Sequence, residues 1–190
     1  MTQPRTLDAQ QASSRLHELI VLDVRTPGEY ATGHLPGALN IPLDDLTRAL
    51  PDLREAADRG DILVVCASGS RSGKACKTLA DNGIAAVGLA GGTDAWTDGG
   101  GILHRPDSAP RTAWSMERQV RLTAGAVVLT GLALGRLHPA FRLASAGIAG
   151  GLAFSALTNT CGMAALLAEL PHNRPRQGDL EATFEALRDH

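Results

Sequence analysis

The sequence predicts an α/β fold, a parallel sheet flanked by helices, followed by an α-helical transmembrane hairpin. Three observations predict it. Short apolar runs alternate with helix-period segments through residues 20–98, the pattern of a parallel sheet with crossover helices. Charge is unevenly spread: residues 1–105 hold 10 Lys+Arg and 13 Asp+Glu, whereas residues 143–168 hold none over 26 positions. Hydrophobic residues make up 44% of the 190, too many for wholesale disorder. The balance of 18 Lys+Arg against 20 Asp+Glu leaves no basic footprint for nucleic acid, so no nucleic-acid partner is expected. Three Cys cannot close a disulfide framework and read as reduced or reactive thiols.

The elements follow in order. Residues 20–24 are a short apolar run, a buried strand. Thr26-Pro-Gly-Glu29 is a turn and helix start. Residues 38–41 form a second short strand ending at Pro42. Residues 44–57 read as a helix broken at Pro51, with Leu46, Leu50 and Leu53 on a common face. Residues 62–65 are a fully apolar strand. Residues 72–82 are a helix, with Ala75 and Leu79 one turn apart and Asn82-Gly83 as its stop. Residues 86–89 give another strand, and Gly91-Gly92 opens a helix that runs through Trp96. Residues 1–105 are thus expected as one domain, with residues 106–117 as a linker.

The hairpin is expected over residues 118–173. The uncharged run 143–168 would be about 39 Å long as a helix, against about 30 Å of bilayer hydrocarbon. The weaker segment 122–135 is uncharged for 14 residues, and Arg121 and Arg136 can snorkel to extend it. Gly131/Gly135 and Gly147/Gly151 are small-xxx-small pairs that let helices approach closely, within one chain or between two, so a homodimer through these helices is expected. Residues 1–10 are polar, which predicts no signal peptide. Six arginines flank the hairpin (Arg105, Arg111, Arg118, Arg121, Arg174 and Arg176) against Arg136 and Arg142 in its loop. This bias puts both termini on the cytoplasmic side. Residues 174–190 read as a cytoplasmic tail, in which Leu180, Phe184 and Leu187 suggest a short amphipathic helix at the membrane surface or a dimer contact.

The chemistry sits directly after the strand 62–65, where Cys66-Ala67-Ser68-Gly69-Ser70-Arg71-Ser72 runs into a helix. In α/β sheets ligands bind beyond the carboxyl ends of strands. A loop entering a helix N-terminus turns several backbone N–H groups toward one centre. Gly69 permits the tight curl, and a thiol at the start of such a nest is expected to ionise readily and act as a nucleophile. Two chemistries use a Cys in an anion cradle, phosphate-ester hydrolysis and sulfur transfer. Tyrosine-phosphatase-type loops place Arg where Ser72 stands, six positions after the Cys. Here Arg71 comes one residue earlier, so the cradle is smaller and suits a sulfane sulfur on Cys66.

The ordered set Asp23-Val-Arg25, Glu29-Tyr30, Gly33-His34-Leu-Pro36-Gly37-Ala38, Asn40-Ile-Pro42, Cys66-x-x-Gly69-x-Arg71-Ser72 and Gly91-Gly92 with Trp96 resembles the single-domain rhodanese (thiosulfate sulfurtransferase-like) family over residues 5 to about 103. Arg118-Gln119-Val-Arg121, Thr123-Ala-Gly125, Thr160-Cys161-Gly162-Met163 and Pro171-x-Asn173 resemble the two-helix membrane domain of bacterial inner-membrane rhodanese-like proteins. The resemblance implies an enzyme of the bacterial inner membrane. Its Cys66 would take a sulfane sulfur from an anionic donor such as thiosulfate and pass it, as a persulfide, to cyanide or a thiol. It implies that the backbone of residues 67–72 holds the sulfur, and that Arg71 shapes the loop and draws the donor; the bland alternative is that Arg71 simply pairs with a carboxylate such as Asp23. Asp23 and Arg25 are expected to brace the loop from the neighbouring strand. No cofactor is implied, and no Cys/His cluster has metal-ligand spacing.

The remaining candidates read blandly. His34 is a structural hydrogen-bonder in its turn, Cys76 a buried thiol on the core stripe, and Cys161 a small apolar residue. An alternative function uses the same residues: a sensing or sulfur-carrier module whose modified Cys66 signals through the hairpin.

Overall fold

The computed structural model describes residues 5–105, 116–158, 166–167, 170 and 177–189. They fall into two compact units, Met1–Ala113 with Pro175–His190, and Trp114–Arg174. The elements are β1 (Thr6–Leu7), α1 (Ala9–Arg15), β2 (Leu19–Asp23), α2 (Pro27–Ala31), β3 (Leu39–Asn40), α3 (Leu50–Arg59), β4 (Asp61–Val65), α4 (Ser70–Asp81), β5 (Ala86–Leu89), α5 (Gly92–Asp98), α6 (Met116–Leu134), α7 (Ala140–Thr158) and α8 (Gln177–Asp189).

The first unit is built on a five-stranded sheet in the order β1-β5-β4-β2-β3, with every pairing parallel. All five residues of β2 are buried, as a strand covered on both faces requires. Side chains alternate between two cores. Ile20, Leu22, Ile62 and Val64 join Leu53, Leu79 and Leu187 on one face. Leu19, Val21, Leu63 and Val65 join Ala12 and Trp96 on the other. The register Leu22↔Val64 and Asp23↔Val65 sets the ends of β2 and β4 level, so the loops that follow them emerge side by side.

Three local readings change. Residues 43–49 form a 3-10 turn and α3 starts at Leu50, so Pro51 opens a helix instead of breaking one. A first-turn N–H has no intrahelical partner, and proline there loses nothing. Helix α4 starts at Ser70, two residues before the expected 72. The pair β1–α1 was not legible as periodicity. It is announced instead by a capping box in which Asp8 accepts from the Gln11 amide and the Gln11 side chain from the Asp8 amide.

The largest difference is α8. Expected in a separate tail, at a membrane surface or a dimer contact, it packs against α3 and β3 as part of the first unit. Leu180 and Leu187 are 2% and 0% exposed in the same core as Leu53 and Ala56. Arg59 Nη2 donates to the Leu187 carbonyl at 2.7 Å, and Arg188 Nε lies 3.1 Å from Asp52 Oδ1. The i, i+4, i+7 apolar spacing of Leu180, Phe184 and Leu187 needed a core, and α3 supplies one.

In the second unit α6 and α7 pack on each other. Ser145 is 4% exposed, its hydroxyl 3.2 Å from the carbonyls of both Val128 and Phe141. Gly131 leaves the space this hydroxyl fills, and Gly135 meets the Arg142 side chain. Among the described residues nothing lies within 4 Å of a Cβ placed at Gly147 or Gly151, and it is the Gly131/Gly135 pair that meets the neighbouring helix. Large apolar side chains point outward: Leu129, Leu143 and Phe154 are 70%, 74% and 64% exposed. Among the described residues no helix is long and apolar enough to cross a membrane. Helix α7 is described only to Thr158. Residues Asn159, Thr160 and Cys161 lie outside the described residues.

Candidate active site

Strand β4 ends at Val65 and delivers Cys66, 1% exposed, to the loop that enters α4. Gly69 caps α4 at φ 96, a left-handed conformation that a side chain would strain. That curl aims two backbone amides at one sulfur: the N–H groups of Gly69 and Ser72 donate to Cys66 Sγ at 3.1 and 3.3 Å. The thiol in turn donates to Ser72 Oγ at 3.5 Å, and the Ser72 hydroxyl donates to the Gly69 carbonyl at 3.0 Å. The sulfur therefore sits at the positive end of a 12-residue helix. Ser72 is 1% exposed, Ala67, Gly69 and Arg71 are half-buried, and Ser68 and Ser70 are exposed.

The start of α5 clamps the loop from behind. Thr93 N–H donates to the Cys66 carbonyl at 2.8 Å and Asp94 N–H to the Ala67 carbonyl at 3.1 Å. Gly92 has φ 62, and a Cβ there would overlap both of those carbonyl oxygens. This is the physical demand behind the Gly91-Gly92 pair.

Arg71 does not pair with Asp23. Its Nη1 and Nη2 reach Glu29 Oε2 and Oε1 at 2.7 and 2.8 Å, a bidentate pair with Glu29 4% exposed. Both terminal nitrogens are thus engaged within the fold. Burial pushes the Glu29 carboxyl up. The Arg71 hydrogen bonds and charge, with the amide and hydroxyl of Thr26, outweigh it and hold the carboxyl below its ordinary value. Glu29 was missed as a site residue. The signal was the Thr26-x-x-Glu29 capping box, which fixes the carboxylate on α2 before Arg71 meets it.

Asp23 and Arg25, expected to brace the Cys66 loop, pair with each other instead, Arg25 Nη2 lying 2.6 Å from Asp23 Oδ2. Arg25 Nη2 also donates to the Gly33 carbonyl at 2.8 Å, and Asn40 Nδ2 donates to the carbonyls of both Asp23 and Arg25 at 2.9 Å. The pair therefore orders the turn after α2, and the Cys66 loop is braced by Glu29 and by α5.

His34 stacks on Tyr30 at 3.8 Å, with its Nδ1 3.1 Å from the Tyr30 carbonyl. Burial holds its pKa below the ordinary histidine value, against the opposing pull of the Tyr30 carbonyl. Cys76 is 3% exposed, and burial, with the nearby Cys66, pushes its thiol up to about 11.

The Rhodanese-like domain family matches residues 4–98, half of the chain. The chain belongs to the rhodanese-like family. An uncharacterised protein of Synechocystis sp. is 35% identical over 90% of this chain and 92% of its own length. A sulfurtransferase of Allochromatium vinosum is 35% identical over 53% of this chain and 95% of its own. The crystal structure of a rhodanese-related protein from Thermoplasma volcanium superposes with a TM-score of 0.50 at 29% identity, covering 54% of this chain and 99% of that one. Beyond the rhodanese-like domain, residues 115–176 match the transmembrane domain of YgaP-like inner membrane proteins. Helix α8 lies outside both matched segments.

Proposed function

We propose that this rhodanese-like protein is a sulfurtransferase of the bacterial inner membrane that carries a sulfane sulfur on Cys66. The observation that carries the reading is the cradle: two backbone amides and a helix N-terminus converge on one buried sulfur. The Cys66 thiolate attacks the outer sulfur of thiosulfate. A sulfur–sulfur bond forms to Cys66, the bond within thiosulfate breaks, and sulfite leaves with its electron pair. The outer sulfur of the resulting persulfide lies among the amides of residues 67–72. Cyanide or an acceptor thiolate then attacks that sulfur, and the electron pair of the breaking bond returns to Cys66 Sγ. The sulfur changes carrier without an external oxidant or reductant.

The match to an inner-membrane domain supports the membrane location. The proposed anchor is the α6–α7 pair, whose outward Leu129, Leu143 and Phe154 suit lipid better than water. Because α8 belongs to the same unit as the sheet, the chain leaves that unit before α6 and returns to it after α7. A hairpin with two crossings and both ends on the cytoplasmic side satisfies that path. Pairing of two chains through residues 118–170 belongs to the same proposal, and cross-linking in membranes tests it.

Intact-mass spectrometry of the full chain in detergent after exposure to thiosulfate tests the chemistry. A gain of one sulfur, absent in Cys66→Ser, is expected; no gain refutes the carrier reading. Catalytic turnover to thiocyanate separates an enzyme from a sensing module. Fractionation of expressing cells should place the chain with the membranes, and recovery in the soluble fraction without detergent refutes the anchor.

A further inference from the structure

The hydrogen bonds around Cys66 close a ring. Gly69 N–H donates to the sulfur, the thiol to Ser72 Oγ, and the Ser72 hydroxyl back to the Gly69 carbonyl. The ring suits a protonated sulfur. When the sulfur carries negative charge its proton is gone, and Ser72 Oγ, 3.5 Å away, loses the bond it accepted. The Ser72 hydroxyl is one rotation about Cβ–Oγ from the same sulfur. The carbonyl it would leave is not orphaned, since Gly73 N–H donates to the Gly69 carbonyl at 3.0 Å. At 1% exposure Ser72 has no water to turn to instead. A hydrogen bond to a charged acceptor is stronger than one to a neutral carbonyl, so the rotation is favourable once the sulfur ionises.

We propose that Ser72 is a catalytic residue: a hydroxyl rotor that accepts from the Cys66 thiol in the resting state and donates to Cys66 Sγ whenever that atom bears charge. This rests on the sulfurtransferase reading for its second half, the discharge of the persulfide. There the bond between Cys66 Sγ and the outer sulfur breaks and its electron pair stays on Sγ. The hydroxyl donates to that developing charge as a third donor beside the amides of Gly69 and Ser72. No proton leaves Ser72 in this step, and nothing is oxidised or reduced beyond the sulfur exchange itself. The backbone amides cannot make this distinction, because they point at the sulfur in either state. Among the described residues Arg71 and Cys76 on α4 feel the charge of Cys66, Glu29 on α2 and Asp23 on β2 act on Arg71, and Asp94 on α5 bonds the loop through its amide. Arg71 is matched by Glu29 and Asp23 by Arg25.

The test uses the full chain in detergent with Ser72→Ala and Ser72→Thr. Thiolate absorbance is titrated against pH, each protein minus the same protein carrying Cys66→Ser. The midpoint of Cys66 should rise by about one pH unit in Ser72→Ala and stay near wild type in Ser72→Thr. Discharge of preformed persulfide by cyanide should slow about fivefold in Ser72→Ala, with circular dichroism and thermal midpoint close to wild type. An unchanged titration in Ser72→Ala overturns the rotor, even if transfer slows, because a packing residue would slow transfer without moving the thiol. The titration needs no sulfur donor. A wild-type chain that titrates as described but never gains sulfur overturns the discharge role together with the sulfurtransferase reading, while the resting-state arrangement at Ser72 stands.

Discussion

Cys66 and Cys76 are both buried, at 1% and 3% exposure, and both face the core that contains Leu79. They stand at the N-terminus and in the interior of the same helix. At the N-terminus the amides of Gly69 and Ser72 have no helical partner and turn to the sulfur. In the interior the amides are already used by the helix, and burial leaves the Cys76 thiol protonated up to about 11. Burial alone therefore does not decide what a thiol does. The supply of unspent donors around it does, and a helix has such donors only in its first turn.

The contrast breaks most sharply by exchange of each sulfur. Cys66→Ser should lower transfer from thiosulfate to cyanide more than about a thousandfold with the fold intact, as removal of a covalent nucleophile does. Thiocyanate production near wild type would move the chemistry elsewhere. Next comes the clamp that belongs to Cys66 alone. Gly92→Ala drives a methyl into the carbonyls of Cys66 and Ala67 at a left-handed φ, and should destabilise the unit by about 3 kcal/mol in urea unfolding and distort the loop. A stability unchanged by this methyl would mean that α5 does not hold the loop.

A smaller effect concerns the charge that locks Arg71. Glu29→Gln should lower stability by about 2 kcal/mol at neutral pH. The folded Glu29 carboxyl lies below its ordinary value, so the contribution of the pair is complete above the ordinary glutamate range and is lost as pH falls through the depressed folded value. Stability against pH should therefore fall more steeply in acid for wild type than for Glu29→Gln. Parallel curves would remove the pair from the account. The smallest effect sharpens the comparison from its inert side: Cys76→Ala should cost about 1 kcal/mol and leave transfer unchanged. Loss of turnover there would make Cys76 a resolving thiol.

Much of this was legible in the sequence, for a physical reason in each case. The strands 62–65 and 86–89 are apolar and flanked by turn residues, and they form where expected. The Cys66 loop reads directly because strand, Gly69 and helix are contiguous. What failed to read is non-local. Glu29 lies 42 residues from Arg71, and only the sheet order that sets β2 beside β4 brings them together. Asp23 was the expected partner, and Arg25, two residues from Asp23, claims it first. Pro51 carries opposite meanings inside a helix and in its first turn, so its reading depended on where α3 begins. Helix α8 showed its apolar stripe plainly, but periodicity says that a face is covered and not by what.

That helix also sets an order of assembly. A chain is made from its N-terminus, and domains ordinarily fold as they emerge. Here the sheet and the Cys66 loop are synthesised first, yet Leu180 and Leu187, which seal the surface of α3, follow only after residues 114–174. Throughout synthesis of the two-helix unit, the apolar face of α3 is uncovered. The docking of α8 therefore comes after residues 114–174 have been made, and the core behind the Cys66 loop is completed only then.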